Sequence, residues 1–241
     1  MKKIGRSSEL LWVFGIVFVA LGVAICGKAD LGVSMIAAPA FVFHEWISAH
    51  FAWISLGVTE YVIQGLILVI MCVAVRRFNP RYLLAFLVAV IYGYTLDLFM
   101  WLLGGVHFDS TLLRWVMLIV GDLITAFGVA CFFRTYMPLQ VYELFVAEVA
   151  SVFKFSIAKT KQVFDISLLV FSIAFALILF RDVTAFDWST IGGASFHSLG
   201  LGTIVTTLIN SPLIALMGKI IDRIFDPTPV SDKLYRALKR S

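Results

Sequence analysis

Charge is scarce in this chain. Of its 241 residues, 34 are Lys, Arg, Asp or Glu (14%), while 61% belong to the apolar set AVILMFWYC. A soluble domain carries roughly 25% charged and 45–50% apolar residues. So little polar surface cannot cover a soluble fold, and a mean hydropathy of +0.99 agrees. A soluble enzyme and a nucleic-acid binder are excluded. Cysteine is scarce too. Cys26, Cys72 and Cys131 sit inside apolar runs without C-x-x-C spacing, which excludes a disulfide framework or a cysteine zinc site and leaves small packing groups. His44 and His50 are six apart and fall on different sides of a helix. No H-E-x-x-H, G-x-S-x-G, Walker loop or dinucleotide fingerprint occurs. No catalytic residue, metal or cofactor is expected, and the chain is not read as an enzyme.

Long apolar runs are what the sequence has. Six segments have the length of a membrane span: 10–27, 54–75, 83–103, 112–133, 162–180 and 199–221. Roughly 20 apolar residues cross a bilayer core. Two more are odd. Segment 32–51 carries Pro39, His44, Glu45 and His50, and segment 138–153 is short and holds Glu143 and Glu148. The expected fold is therefore an all-α polytopic membrane protein with six full spans and two re-entrant or half-helix segments. An eight-span arrangement is the alternative. Lys/Arg placement favours six spans. With both odd segments re-entrant, only Lys28, Arg114 and Arg181 of the 19 basic residues lie outside. The cluster Arg76/Arg77/Arg81 then joins Lys2, Lys3, Arg6 and the basic tail on the cytoplasmic side. No small-residue cleavage site follows the first run, so it is expected to be a retained span.

The chain also repeats itself. Ala20-Leu21-Gly22-Val23-Ala24 matches Ala126-Phe127-Gly128-Val129-Ala130 at an offset of 106, and Lys28 pairs with Arg134. At an offset of 101, Ser55, Thr59 and Val62 meet Ser156, Thr160 and Val163. This divides the chain into a first membrane repeat (1–105), a second (106–221) and a basic cytoplasmic tail (222–241). Three spans per half make the repeat inverted, and four make it parallel. Inverted repeats with broken helices at the midplane are the architecture of many secondary transporters.

Within the apolar runs four acids stand out: Asp97, Asp122, Glu143 and Asp165. Intramembrane carboxylates face a bundle interior or cavity, because a lipid-facing charge is costly. No buried lysine is expected beside them. The odd segments supply the rest of the expected site. Gly32-Val33-Ser34 offers a turn and a Ser cap, Pro138 suits a first helical turn, and Gln140 leads to Glu143. Two half-helix starts at mid-depth favour an anion or carboxylate-bearing solute, against which Glu143 argues unless protonated. Asn210, with Thr203 and Thr206, adds neutral polar groups to the last span.

The element Ala29-Asp30-Leu31-Gly32-Val33-Ser34 resembles the A-D-L-G-V-S of the bacterial YczE/YitT-like integral membrane proteins. Tyr92-Gly93-x-x-x-Asp97 and Gly200-Leu201-Gly202-Thr203 resemble that family's G-x-x-x-D and G-x-G-T. The resemblance implies an acidic position after each first span. Met35-Ile36-Ala37 has lost it in the first half, and Glu143 keeps it in the second. It implies transport-like activity without naming a cargo. The expected function is a small secondary transporter that moves a small anionic or carboxylate-bearing solute through a midplane site between two half-helices, with proton coupling. The alternative is a channel or a non-transporting assembly partner. Expected partners are the lipid bilayer, a small-molecule or ion substrate and a second copy as homodimer, with no nucleic acid. The expected location is the bacterial cytoplasmic membrane with both termini inside.

Overall fold

A computed structural model of the chain describes residues 8–181 and 198–240, without the side chains of Leu234, Ala237, Lys239 and Arg240. Lys2, Lys3 and Arg6 lie outside the described residues, as do the side chains of Leu234, Lys239 and Arg240 in the tail.

Nine helices occur among the described residues: α1 (Ser8–Ala29), α2 (Ala38–Ser48), α3 (Leu56–Val75), α4 (Tyr82–Leu102), α5 (Thr111–Phe132), α6 (Val141–Phe153), α7 (Ile157–Phe180), α8 (Leu201–Ile224) and α9 (Asp232–Arg240). Six of them, α1, α3, α4, α5, α7 and α8, are long and apolar enough to cross a membrane. The chain is a multi-pass membrane protein. At 1.5 Å per residue, α2 and α6 (11 and 13 residues) reach only about 16 and 20 Å. A hydrocarbon core is roughly 30 Å thick, so neither helix crosses it.

Local sequence sets these ends. Ser55 and Ser156 are extended N-caps, and their hydroxyls accept from the N–H groups of Val58 and Lys159, each at 3.3 Å. They satisfy donors that a helix start leaves free. Arg76, Lys154 and Arg181 stop α3, α6 and α7 in the left-handed region. The Ser156 cap starts α7 five residues before the hydropathic segment, and this takes Lys161 into the span.

Two expectations about the odd segments need correction. Ser34 does not cap α2 with its side chain, since no side-chain cap bond is made there. Its carbonyl instead accepts from Ala37 and Ala38 at 3.0 and 2.9 Å, so winding begins one turn before the regular helix. Pro138 is not in the first turn of α6, which starts at Val141 behind Gln140. Its carbonyl instead accepts from the Trp12 indole at 2.9 Å.

The halves pack as matching sets. α1 lies against α5 at the centre. α2 crosses over to α7 and α6 to α3, while α1 packs on α4 as α5 does on α8. Small residues let α1 and α5 approach. A Cβ on Gly22 would stand 2.5 Å from the Gly121 carbonyl oxygen, and one on Gly128 would stand 3.0 Å from that of Gly15. Low numbers in α1 meet high numbers in α5, so the two helices are antiparallel. The 106-residue offset relates these contacts, since it carries Gly15 to Gly121 and Gly22 to Gly128. Backbone proximity of this kind is how membrane helices associate without a hydrophobic drive between them.

On one face, the tail is tied back to α1. Glu9 accepts from the Tyr136 hydroxyl at 2.5 Å and from the N–H groups of Val230 and Ser231 at 2.8 and 3.0 Å. Burial, and then the bond to Glu9, push the Tyr136 phenol well above its ordinary range.

Candidate functional site

The two broken segments meet at the centre of the bundle. Ser34 and Ala37 from the turn before α2, and Gln140, Tyr142 and Glu143 from the start of α6, line one enclosed cavity. α1 adds Val19 and Val23, α3 adds Glu60, α4 adds Tyr92, α5 adds Thr125 and Val129, and α8 adds Asn210. The cavity therefore draws on both halves and on six helices. Its free volume is about 20 Å³, room for a single water molecule.

The lining is polar and its groups are unmatched. Glu60 and Glu143 are 1% and 4% exposed, which shields them from lipid as well as from water. The Tyr142 hydroxyl donates to Glu60 Oε1 at 3.1 Å. Among the described residues, Glu60 Oε2, Glu143 Oε2, Gln140 Nε2 and Asn210 Oδ1 have no hydrogen-bond partner. Native interiors leave few such atoms, and a cluster of them calls for an explanation.

Beside the cavity lies the ion pair that was not expected. Lys161 and Asp165, one turn apart on α7, are buried and joined at 3.1 Å. Asp122 is 1% exposed, and neither carboxylate oxygen has a partner among the described residues. Glu60, Asp122, Glu143 and Asp165 are thus four buried carboxylates, with Lys161 the one buried basic side chain among the described residues. Isolated buried charges cost several kcal/mol each even after relaxation, so the four cannot all be ionised without further positive charge. Among the described residues no three His, Cys, Asp or Glu side chains converge on one point. The acids are strung through the interior rather than gathered into a metal cage.

The other expected residues lie apart from the cavity. Asp97 is half-buried near the end of α4, and its carboxylate accepts from the Ser55 hydroxyl at 2.6 Å and the Gly57 N–H at 2.7 Å. It caps the N-terminus of α3, where a negative charge is favourable. Gly32 has φ +106 and packs on Gly200 and Thr203. There Gly202 N–H donates to the Leu31 carbonyl at 2.8 Å, so the Gly32 turn and the Gly200–Thr203 element hold each other. Pro138 stands at the edge beside Trp12.

Sequence reasoning passed over Glu60 and Lys161. The signal was present. The 101-residue offset that pairs Ser55 with Ser156 also pairs Glu60 with Lys161 and Gln64 with Asp165. Each half has a polar pair at i and i+4 on the inner face of its second span.

The profile of DUF6198, a family of unknown function, matches residues 6–219. The chain belongs to the DUF6198 family. Neither a curated protein nor a solved structure matches it. The DUF6198 match runs from before α1 into the last turns of α8 and takes in every residue around the cavity.

Proposed function

We propose that this DUF6198 protein is a small secondary transporter whose site lies between the two half-helices, and that it exchanges protons with a small cationic solute. One observation carries the reading. The enclosed centre is lined by broken segments of both halves and holds carboxylates that the buried positive charge among the described residues is too small to balance. That surplus turns the sequence-based expectation of an anion around, since an anion would meet Glu60 and Glu143.

The antiparallel α1–α5 crossing and the matched packing pairs support an inverted repeat, the geometry in which one half rocks against the other around a fixed site. Room for one water is far below the roughly 300 Å³ at which small-molecule sites begin, so this conformation is a closed state and an organic solute enters when the halves separate. A channel fits less well, because Asn210 lines the cavity but Thr203 and Thr206 do not. No catalytic step belongs to this reading. The kinship with YczE/YitT-like proteins, a cytoplasmic-membrane location with both termini inside, and a homodimer are part of the same proposal.

The test is electrical. Protein in proteoliposomes on a solid-supported membrane is challenged with alkali cations, ammonium and methylated or longer-chain amines over a pH range. At least one cation is expected to give a saturable current. Glu143→Gln and Glu60→Gln are each expected to lower it at least tenfold and to flatten its pH dependence. Unchanged currents across pH in both variants would remove the coupling role.

A further inference from the structure

A short helix between two long ones leaves space. α6 ends its 13 residues at Lys154, while its neighbours α3 and α7 continue across the membrane. A lateral groove of about 820 Å³ opens where the three meet. Its floor is buried and apolar, with Phe145 of α6 stacked on Phe164 of α7 at 4.5 Å between ring centres. Its rims, Ile70 of α3 and Val163 of α7, are 58% and 65% exposed. Lys154 and Lys159 stand at one end, at the α6–α7 turn, and Phe171 at the other. From Lys159 to Phe171 is 12 residues, about 18 Å of helix, close to the roughly 15 Å depth of one leaflet's hydrocarbon.

We infer that this groove is a binding site for an anionic phospholipid, with one acyl chain along Ile70, Phe164 and Phe171 and the phosphate on Lys154 and Lys159. The charge pattern selects the occupant. Two cations mark the end that lies at the level of the headgroups, and almost nothing polar lies below them, so the site matches a molecule that is negative at one end and apolar along one leaflet's depth. Annular lipid wets any outer face. A groove deep enough to reach the Phe145–Phe164 stack, with a paired cationic mouth, distinguishes one position from the rest. The inference stands apart from the transport reading and uses none of the cavity residues.

Native mass spectrometry of the full chain, delipidated in detergent, tests it with phosphatidylglycerol and phosphatidylcholine of matched acyl chains. The wild type is expected to retain phosphatidylglycerol about tenfold over phosphatidylcholine, from two surface lysines. The preference should shrink as ammonium acetate is raised. Lys154→Asn with Lys159→Gln, chosen because Asn tolerates the left-handed backbone at 154, should bring the two lipids within twofold, and Val163→Trp should lower both. Equal retention of the two lipids by wild type, or a preference indifferent to salt, overturns the site without reference to any variant's folding. So does full displacement by glycerol phosphate, which would make it a phosphate site without a chain groove. A dimer signal lost in Val163→Trp would assign the groove to a second copy and equally overturn it.

Discussion

The second span of each half is built on the same frame and filled with different chemistry. α3 and α7 both start at a serine cap, and both follow the cap with a threonine whose hydroxyl bonds back to a carbonyl in the first turn. One residue further, α3 carries Glu60 with Gln64 and α7 carries Lys161 with Asp165. The first pair is a buried acid beside a buried neutral amide. The second is a closed ion pair. Only Glu60 of the four lines the cavity. On the proposed reading the difference separates two duties: the second-half pair fixes positive charge in the interior, and the first-half pair leaves Glu60 as the acid that exchanges a proton.

The largest expected effect comes from breaking that separation at Lys161. Lys161→Met leaves Asp165 buried without its cation. Removing one partner of a buried pair costs about 3–5 kcal/mol. The unfolding midpoint in detergent should fall steeply. Glu60→Gln, at the matching position, trades a buried acid for a neutral isostere and should hold or raise the midpoint while reducing transport. Equal losses of stability in both variants would mean that the two pairs do the same work.

Next in size is the frame shared by the halves. Gly22→Ala and Gly128→Ala each drive a methyl into the facing backbone of the α1–α5 crossing. Forced contacts of this kind cost about 1–3 kcal/mol, and two symmetry-related sites should lose similar amounts. Gly65→Ala is the control. Its added methyl meets the Phe86 ring at 3.2 Å, which can yield, so the midpoint should scarcely move. Unequal losses at Gly22 and Gly128 would show that the crossing is less symmetric than its contacts.

Much of this fold was legible before any coordinates. Six spans and two interrupted segments follow from hydropathy and from three arginines at 76–81, because lipid leaves few alternatives to a helix. The centre was legible at Ser34, Gln140, Glu143 and Asn210, which do line one cavity. Glu60 and Lys161 were not picked out, for a physical reason. Each lies within six residues of a helix start, where a charge usually reaches the interface, and only the caps at Ser55 and Ser156 bring them within the span. Asp97 has its depth in an apolar run for a reason the sequence did not display: α3 begins beside it, and its carboxylate accepts from the Ser55 hydroxyl and the Gly57 N–H.

That capping role predicts a smaller effect. Asp97→Ala removes both acceptors from the α3 start and should cost about 0.5–2 kcal/mol, the range for a lost helix cap. Asp97→Asn keeps an acceptor and should cost less. In the proteoliposome assay both should leave the pH dependence of the current where it is in the wild type. A shifted pH profile in Asp97→Asn would return Asp97 to the coupling machinery and weaken the division between frame and centre.

The smallest expected effect lies where the repeat meets the membrane surface. Lys28 and Arg134 occupy matching positions, yet Arg134 is the better anchored. Its Nε and Nη2 donate to the two oxygens of Asp222 at 2.6 and 2.8 Å, and Nη1 reaches the Ala130 carbonyl at 3.2 Å. A two-pronged pair is the strongest form of this contact. Even so, the Asp222 side chain is 55% exposed, and water and salt weaken pairs at such positions to about 0–1 kcal/mol. Arg134→Gln should therefore lower the midpoint by a degree or two at low salt, and the deficit should vanish in molar salt. Arg134→Lys keeps the charge but not the fork, and should fall between the two. A loss that persists in high salt would point to the guanidinium resting on Gly218, and so to packing rather than charge as what holds α5 to α8 at this end.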